Sequence, residues 1–169
     1  MCIRDSPLTA TEYMDLTMGR LLERPELGIA WSEELPIGMN SKSFTRTALD
    51  TVFESYCQGQ NDTGFIYFFT KTDLVEKSVV GLVDPAHRCD RARLTLDYPE
   101  DLEVFRRILE AVDKAGHTAT LSEVIAFLKE SPDVLDINAN LDEEYWQRTR
   151  EKARLTYRDP DGNSIGITV

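Results

Sequence analysis

The chain has 169 residues, 41% of them hydrophobic and 29% charged, an ordinary globular composition that excludes wholesale disorder. Its formal net charge of −11 repels phosphate backbones, so nucleic acid is not an expected partner, whereas a surplus of carboxylates suits a divalent cation. No apolar run approaches the roughly 20 residues that cross a bilayer, and no basic start followed by an apolar stretch marks a signal peptide. The expectation is a cytoplasmic protein with no membrane partner.

Cys2, Cys57 and Cys89 lie far apart without C-x-x-C spacing, which implies reduced thiols rather than a zinc site or a disulfide framework. His87 and His117 are equally isolated and are expected to be neither metal ligands nor catalytic bases. Met1-Cys2-Ile3-Arg4-Asp5 reads as the translation of a transposon end used in sequencing libraries, so residues 1–6 are set apart from the fold. The segment beginning at Pro7 reads as the middle of a domain, and the chain is expected to be a fragment of a longer reading frame.

A helix is expected over Thr11–Glu23, with Tyr13, Leu16, Thr17, Arg20 and Leu21 on one side, and Pro25 ends it. Leu27–Trp31 reads as a short buried strand and Glu33–Ser43 as a loop punctuated by Pro36 and Gly38. Thr45–Tyr56 carries the stripe Ala48, Leu49, Val52, Phe53 and Tyr56 of a second helix, and a turn is expected at Gly59–Asp62. The aromatic run Phe65–Phe69 favours a strand. Asp73–Arg88 fits no single template.

Asp90–Asp97 alternates cleanly, with Ala92, Leu94 and Leu96 on one face and Arg91, Arg93, Thr95 and Asp97 on the other, so a strand is expected there. A helix comes next over Pro99–Ala115, with Leu102, Phe105, Ile108, Leu109 and Val112 inward and Gly116 as its stop. Thr120 and Glu123 form a capping box for a helix over Leu121–Lys129. Asp142–Arg154 reads as a strongly charged helix, and Leu155–Val169 as a hairpin around Asp159-Pro160-Asp161-Gly162.

Strands followed by helices imply an α/β fold with a mostly parallel sheet and flanking helices. Ligands of such sheets bind beyond the carboxyl ends of the strands, which directs attention to Asp97. Two roles are open there. In one, Asp97 is an N-cap, with Glu100 completing a capping box and Pro99 in the first helical turn. In the other it is a strand-end carboxylate that binds magnesium, an ion that takes one or two carboxylates together with substrate phosphates and water.

Arg93-Leu94-Thr95-Leu96-Asp97-Tyr98-Pro99-Glu100-Asp101-Leu102-Glu103 resembles the late motif of the cytidylyltransferases that activate acidic sugars, the spore-coat polysaccharide and acylneuraminate group. Leu35-Pro36-Ile37-Gly38, with Phe44-Thr45 and Ala48-Leu49, resembles that family's L-P-x-G loop and the helix after it. Leu121–Asn138, ending in Ile137-Asn138 after a Pro-Asp turn, resembles its C-terminal helix and tail. The likeness covers roughly residues 7–140 and leaves 141–169 as a charged helix and hairpin.

The resemblance implies a Rossmann-like nucleotide-diphospho-sugar transferase fold, of which this chain would be the C-terminal part. It implies transfer of CMP from CTP to an acidic sugar with release of pyrophosphate, dependent on Mg2+. It further implies Asp97 as a metal ligand and Pro36, Gly38 and Arg93 as substrate-binding residues. CTP and a sugar acid would be the partners of the full-length parent, and a homodimer is compatible with the run Phe65–Phe69, which is apolar on both faces when read as a strand.

The departures from the family are specific. The basic, glycine-containing loop that holds the nucleotide phosphates has no counterpart here. Asp5-Ser6-Pro7-Leu8 stands where a second metal-binding aspartate belongs, and Asn61-Asp62-Thr63 where the family has Glu-His-Val-Thr. The chain as given is therefore expected not to bind CTP. Two other readings are a non-catalytic interaction module of the same fold and, from Tyr157–Asn163, the last hairpin of a vicinal-oxygen-chelate metalloprotein, which would need His and Glu ligands on paired strands.

Overall fold

A computed structural model describes residues 7–57, 64–114, 116, 119–152 and 155–167. The elements run in the order α1 (Thr11–Glu23), β1 (Ile29–Ser32), β2 (Lys42–Phe44), α2 (Arg46–Ser55), α3 (Tyr67–Thr70), β3 (Lys77–Val80), a 3-10 turn at Pro85–His87, α4 (Pro99–Lys114), α5 (Leu121–Glu130), α6 (Pro132–Asp136), α7 (Leu141–Lys152), β4 (Leu155–Arg158) and β5 (Ser164–Ile167). The chain is mixed α/β. The described strands do not establish a mostly parallel sheet. One sheet has the order β2-β1-β3, with β1 and β2 antiparallel, and β4 and β5 form an antiparallel pair. Parallel pairing is seen at the isolated bridge Ile37↔Arg93 and between β1 and β3, where the Ile29 N–H donates to the Glu76 carbonyl at 3.2 Å and the Glu33 N–H to the Val80 carbonyl at 3.1 Å.

Contacts divide the chain into two compact units. One comprises the described residues up to Met14 with Ser32–Ser41 and Val80–Asp142; the other comprises the described residues of Asp15–Trp31, Lys42–Val79 and Glu143–Val169.

The first unit is built on α4 and α5. The buried stripe of α4 is Asp101, Val104, Phe105, Ile108 and Val112, a spacing of three and four that keeps one face inward. Leu102 and Leu109, expected on that face, are exposed because each sits one position, about a quarter turn, off the stripe. The α5 contribution is Leu121, Val124, Ile125 and Leu128, and each fully buried side chain of this kind stabilises by about 1.5–3 kcal/mol. Thr120 and Glu123 close the expected capping box. The Pro-Asp turn near residue 132 is instead the short helix α6, with Pro132 in its first turn, where the missing N–H costs nothing.

A hydrogen-bond chain joins α1, the 3-10 turn and α5. The Val83 N–H donates to the Tyr13 hydroxyl at 3.1 Å, and that hydroxyl is hydrogen-bonded to Nδ1 of His87, also at 3.1 Å. The other ring nitrogen, Nε2, is hydrogen-bonded to Ser122 Oγ at 3.0 Å. His117 lies outside the described residues.

The second unit holds the three-stranded sheet, α2, α3 and the hairpin. Thr45 caps α2 by accepting from the Ala48 N–H at 3.1 Å. Ala48 and Val52 are buried, whereas Phe53, expected on the same stripe, is exposed. The aromatic run expected as a strand is a turn and then α3. Gly64 adopts φ +82°, and Tyr67, Phe68 and Phe69 donate to the carbonyls three residues earlier. In that winding Phe68 and Phe69 both pack on Phe65, and Phe65 and Phe68 meet Tyr56, with ring centroids of the Tyr56–Phe68 pair 5.3 Å apart. Packing of rings spaced three and four apart overrides the strand preference of the individual residues. The hairpin pairs Leu155↔Ile167 through Arg158↔Ser164, as expected, with the Asp159 carboxylate accepting from the Asn163 N–H at 2.8 Å.

Replacing Tyr13 with Phe strips both the Val83 N–H and His87 Nδ1 of their partner, and a loss of about 1–3 kcal/mol is expected in urea unfolding. Ser122→Ala, at the exposed end of the same chain of bonds, is expected to cost less, about 0.5–1.5 kcal/mol. Equal losses for the two would contradict a chain of bonds anchored at Tyr13.

Candidate functional site

Residues 90–97, expected as a full strand, hold one ladder contact among the described residues. Arg93 bridges Ile37 in parallel, and the Leu94 N–H donates to the Ile37 carbonyl at 2.7 Å. The alternation is still expressed as burial: Ala92 and Leu94 are buried and Arg91 is exposed. Arg93 departs from it, because its side chain is also buried and only 1% exposed.

The partner at this bridge is the L-P-x-G loop. Pro36 accepts from the Met39 N–H at 3.0 Å, which closes a turn with Gly38 at its third position. Gly38 has φ +94°, a conformation that a type II turn requires there. A Cβ on Gly38 would lie 2.0 Å from the Leu94 carbonyl oxygen. The structure therefore sets the turn of Pro36 and Gly38 against the backbone of Arg93 and Leu94, and pairs the Arg93 side chain with Asp97.

Arg93 is the centre of the arrangement. Its Nη2 donates to Asp97 Oδ2 at 3.0 Å, its Nε to Asp101 Oδ1 at 3.2 Å and its Nη1 to Asp142 Oδ1 at 3.0 Å. The guanidinium also lies 5.6 Å from the Tyr98 ring centroid, within cation–π range. Burial draws the Arg93 pKa down, but the hydrogen bonds and charges of Asp142 and Asp101 outweigh it and hold the pKa above the usual arginine value. One cation thus serves three carboxylates, leaving the group net anionic.

Asp101 is the residue that sequence reasoning missed. It is fully buried, and its Oδ2 accepts from the N–H groups of Asp97 and Tyr98 at 2.9 and 3.0 Å. Oδ1 accepts from Arg93 and, at 2.8 Å, from Asn138 Nδ2, which also donates to the Arg93 carbonyl at 2.9 Å. The expected cap is corrected accordingly. Asp97 and Glu100 do not form the capping box; Asp101, third in α4 after Pro99, reaches back to the orphan N–H groups, and Asp97 turns its carboxylate to Arg93. An acid two positions beyond a helix-starting proline was the available signal. Asn138 and Asp142 had none, because nothing local links them to Arg93.

Thr95 Oγ1 is buried without a hydrogen-bond partner among the described residues. Two shallow depressions, one lined by Leu109, Val112 and Ala119 and the other by Arg107, Phe127 and Val134, do not include Asp97.

A magnesium ligand set can be tested against these residues. No group of three His, Cys, Asp or Glu able to hold a metal occurs among the described residues. The Asp97 side chain is 30% exposed, its Oδ2 is engaged by Arg93, and its Oδ1 makes no hydrogen bond among the described residues. That fits a cation held by one carboxylate with phosphates and water in its remaining positions. The hairpin at Asp159–Asn163 carries no His, so it offers no support for an oxygen-chelate centre. Asp5 and the Asn61-Asp62-Thr63 segment lie outside the described residues.

No family model matches the sequence, and no curated protein matches it. Among solved structures, the chain is similar to a cytidylyltransferase from Leptospira borgpetersenii serovar Hardjo-bovis (strain JB197), with a TM-score of 0.62 and 16% identity over 78% of this chain. The chain spans 55% of the length of that structure. At this identity the likeness is one of fold. No helix among the described residues is long and apolar enough to cross a membrane.

Arg93→Met would leave Asp101 charged and buried without its cation, and a loss of about 3–5 kcal/mol is expected in chemical unfolding. A loss below about 1 kcal/mol would show that the ion cluster does not hold the unit together. Gly38→Ala adds a methyl group against the Leu94 carbonyl in a conformation disfavoured for side chains, and a drop of at least about 2 kcal/mol is expected by the same measurement.

Proposed function

We propose that the chain is the C-terminal part of a cytidylyltransferase that transfers CMP from CTP to the hydroxyl of an acidic sugar. In that reaction the sugar hydroxyl oxygen bonds to the α-phosphorus as its proton passes to solvent, the bond from that phosphorus to the bridging oxygen breaks, and pyrophosphate leaves. The observation that carries the reading is the meeting of the L-P-x-G turn with the Arg93–Asp97 segment, on a chain whose fold resembles that of a solved cytidylyltransferase.

Asp97 is assigned as the ligand of a divalent cation, Mg2+ in the first instance. Bound there with the triphosphate, the ion would neutralise phosphate charge and orient it for in-line attack. Asp97 supplies the anionic oxygen. Pro36 and Gly38 shape the turn that meets the Arg93–Leu94 backbone and would present backbone to the substrate. Arg93, occupied by three carboxylates, acts on substrate through the placement of Asp97. A second copy of the chain is compatible with this reading and a nucleic acid is not, given the net charge of −11.

The sequence includes no basic, glycine-containing loop to hold the nucleotide phosphates. The 169-residue chain alone is therefore expected to release no pyrophosphate from CTP with any of a panel of acidic sugars. In a parent protein that contains such a loop, Asp97→Asn is expected to lower kcat at least about a hundredfold, the scale on which a positioned charge contributes to a transition state. Thermal melting belongs on the same preparation. Normal kcat with a lowered melting point would reduce Asp97 to a structural partner of Arg93 and overturn the reading.

A further inference from the structure

We infer that Asp101 is a positioning residue whose buried carboxylate sets both the backbone and the side chain of Asp97 for cation binding; this rests on the assignment of Asp97 as the metal ligand. A residue that only caps α4 needs to accept the orphan N–H groups and nothing more. Asp101 does that with Oδ2, at 2.9 and 3.0 Å from the N–H groups of Asp97 and Tyr98. Its other oxygen is committed elsewhere, to Arg93 Nε at 3.2 Å and Asn138 Nδ2 at 2.8 Å. Four donors on one fully buried carboxylate exceed the needs of a cap.

The two halves of this arrangement converge on one residue. Through Oδ2, Asp101 fixes where the main chain of Asp97 stands. Through Oδ1 it fixes the plane of Arg93, whose Nη2 holds Asp97 Oδ2 at 3.0 Å and so sets the side-chain direction. Asn138 ties the same Asp101 oxygen to the Arg93 main chain, by bridging the Arg93 carbonyl and Asp101 Oδ1. With Oδ2 held, the Asp97 oxygen left for a cation is Oδ1. The guanidinium also screens the negative charge of Asp97, so cation affinity at this site is set by how Arg93 is shared among its carboxylates.

Asp101→Asn separates these roles. An amide oxygen can serve the N–H groups of 97 and 98 or the pair Arg93 and Asn138, and its NH2 would face donors on the opposite side. The probe is Mn2+ added to the isotope-labelled 169-residue chain, read as paramagnetic broadening of backbone amides, with hydrogen exchange measured on the same samples. In the unsubstituted chain the Asp97 and Tyr98 signals are expected to broaden first, and Asp97→Asn is expected to abolish this. Asp101→Asn is expected to weaken Mn2+ binding at least about tenfold and to lower exchange protection at residues 97 and 98, with protection at Ile108 and Val112 retained. Asn138→Ala, which removes one donor and keeps the carboxylate, is expected to give a smaller loss in the same direction and carries the comparison if Asp101→Asn does not fold. Unchanged Mn2+ affinity in both variants would overturn the inference. If the unsubstituted chain shows no broadening at Asp97, the metal assignment itself fails. Exchange then decides the positioning role: loss confined to residues 97 and 98 supports it, and equal loss along α4 overturns it.

Discussion

Most of the first unit depends on a problem that water would otherwise solve: where to put the charge of Arg93. Its guanidinium is almost wholly removed from solvent, and an ion moved into a protein interior carries a penalty of several kcal/mol unless its donors are matched. Asp101, equally buried, faces the same problem with the opposite sign. Each is stable only because the other is there. The surrounding geometry is set by their pairing, from the start of α4 to the direction of Asp97 and the seat of Asn138.

The cluster also relates the two candidate motifs. Arg93 takes part in a backbone bridge to Ile37 while its side chain organises Asp97 and Asp101. The L-P-x-G turn can approach this closely because Gly38 has no side chain to meet the Leu94 carbonyl. Two sequence signals, 55 positions apart at Gly38 and Arg93, thereby become one locality. A fold likeness at 16% identity says that the scaffold is shared; the chemistry assigned to it rests on this locality and on the resemblance of the motifs.

Legibility from sequence tracks the range of the interactions involved. Helix α1 is readable to its ends, and the α5 cap is readable because Thr120 and Glu123 are neighbours in the same turn. The hairpin is readable from its turn residues. The Phe65–Phe69 run misleads, since propensity speaks for single residues and the outcome is decided by rings that pack at a spacing of three and four. Residues 90–97 show a strand's alternation, but alternation reports which side is buried and does not supply a neighbouring strand to pair with. At the site, Asp97, Pro36, Gly38 and Arg93 are visible in local motifs. Asp101 is hidden among the acids of a helix start, and Asn138 and Asp142 are beyond any local pattern.

The separations along the chain give the Arg93 cluster an order of assembly. Its contacts to Asp97 and Asp101 span 4 and 8 residues, whereas those to Asn138 and Asp142 span 45 and 49. Closing a longer loop carries a larger entropic cost, rising with the logarithm of its length, so the short contacts are favoured to form first. During synthesis, the short pair becomes available as soon as α4 leaves the ribosome, while residue 138 is still to come. Until Asn138 arrives, Asp101 lacks one of its four donors. The docking of α6 and the tail behind it thus acts as the closing step for a charge cluster that the nascent chain can begin but not complete.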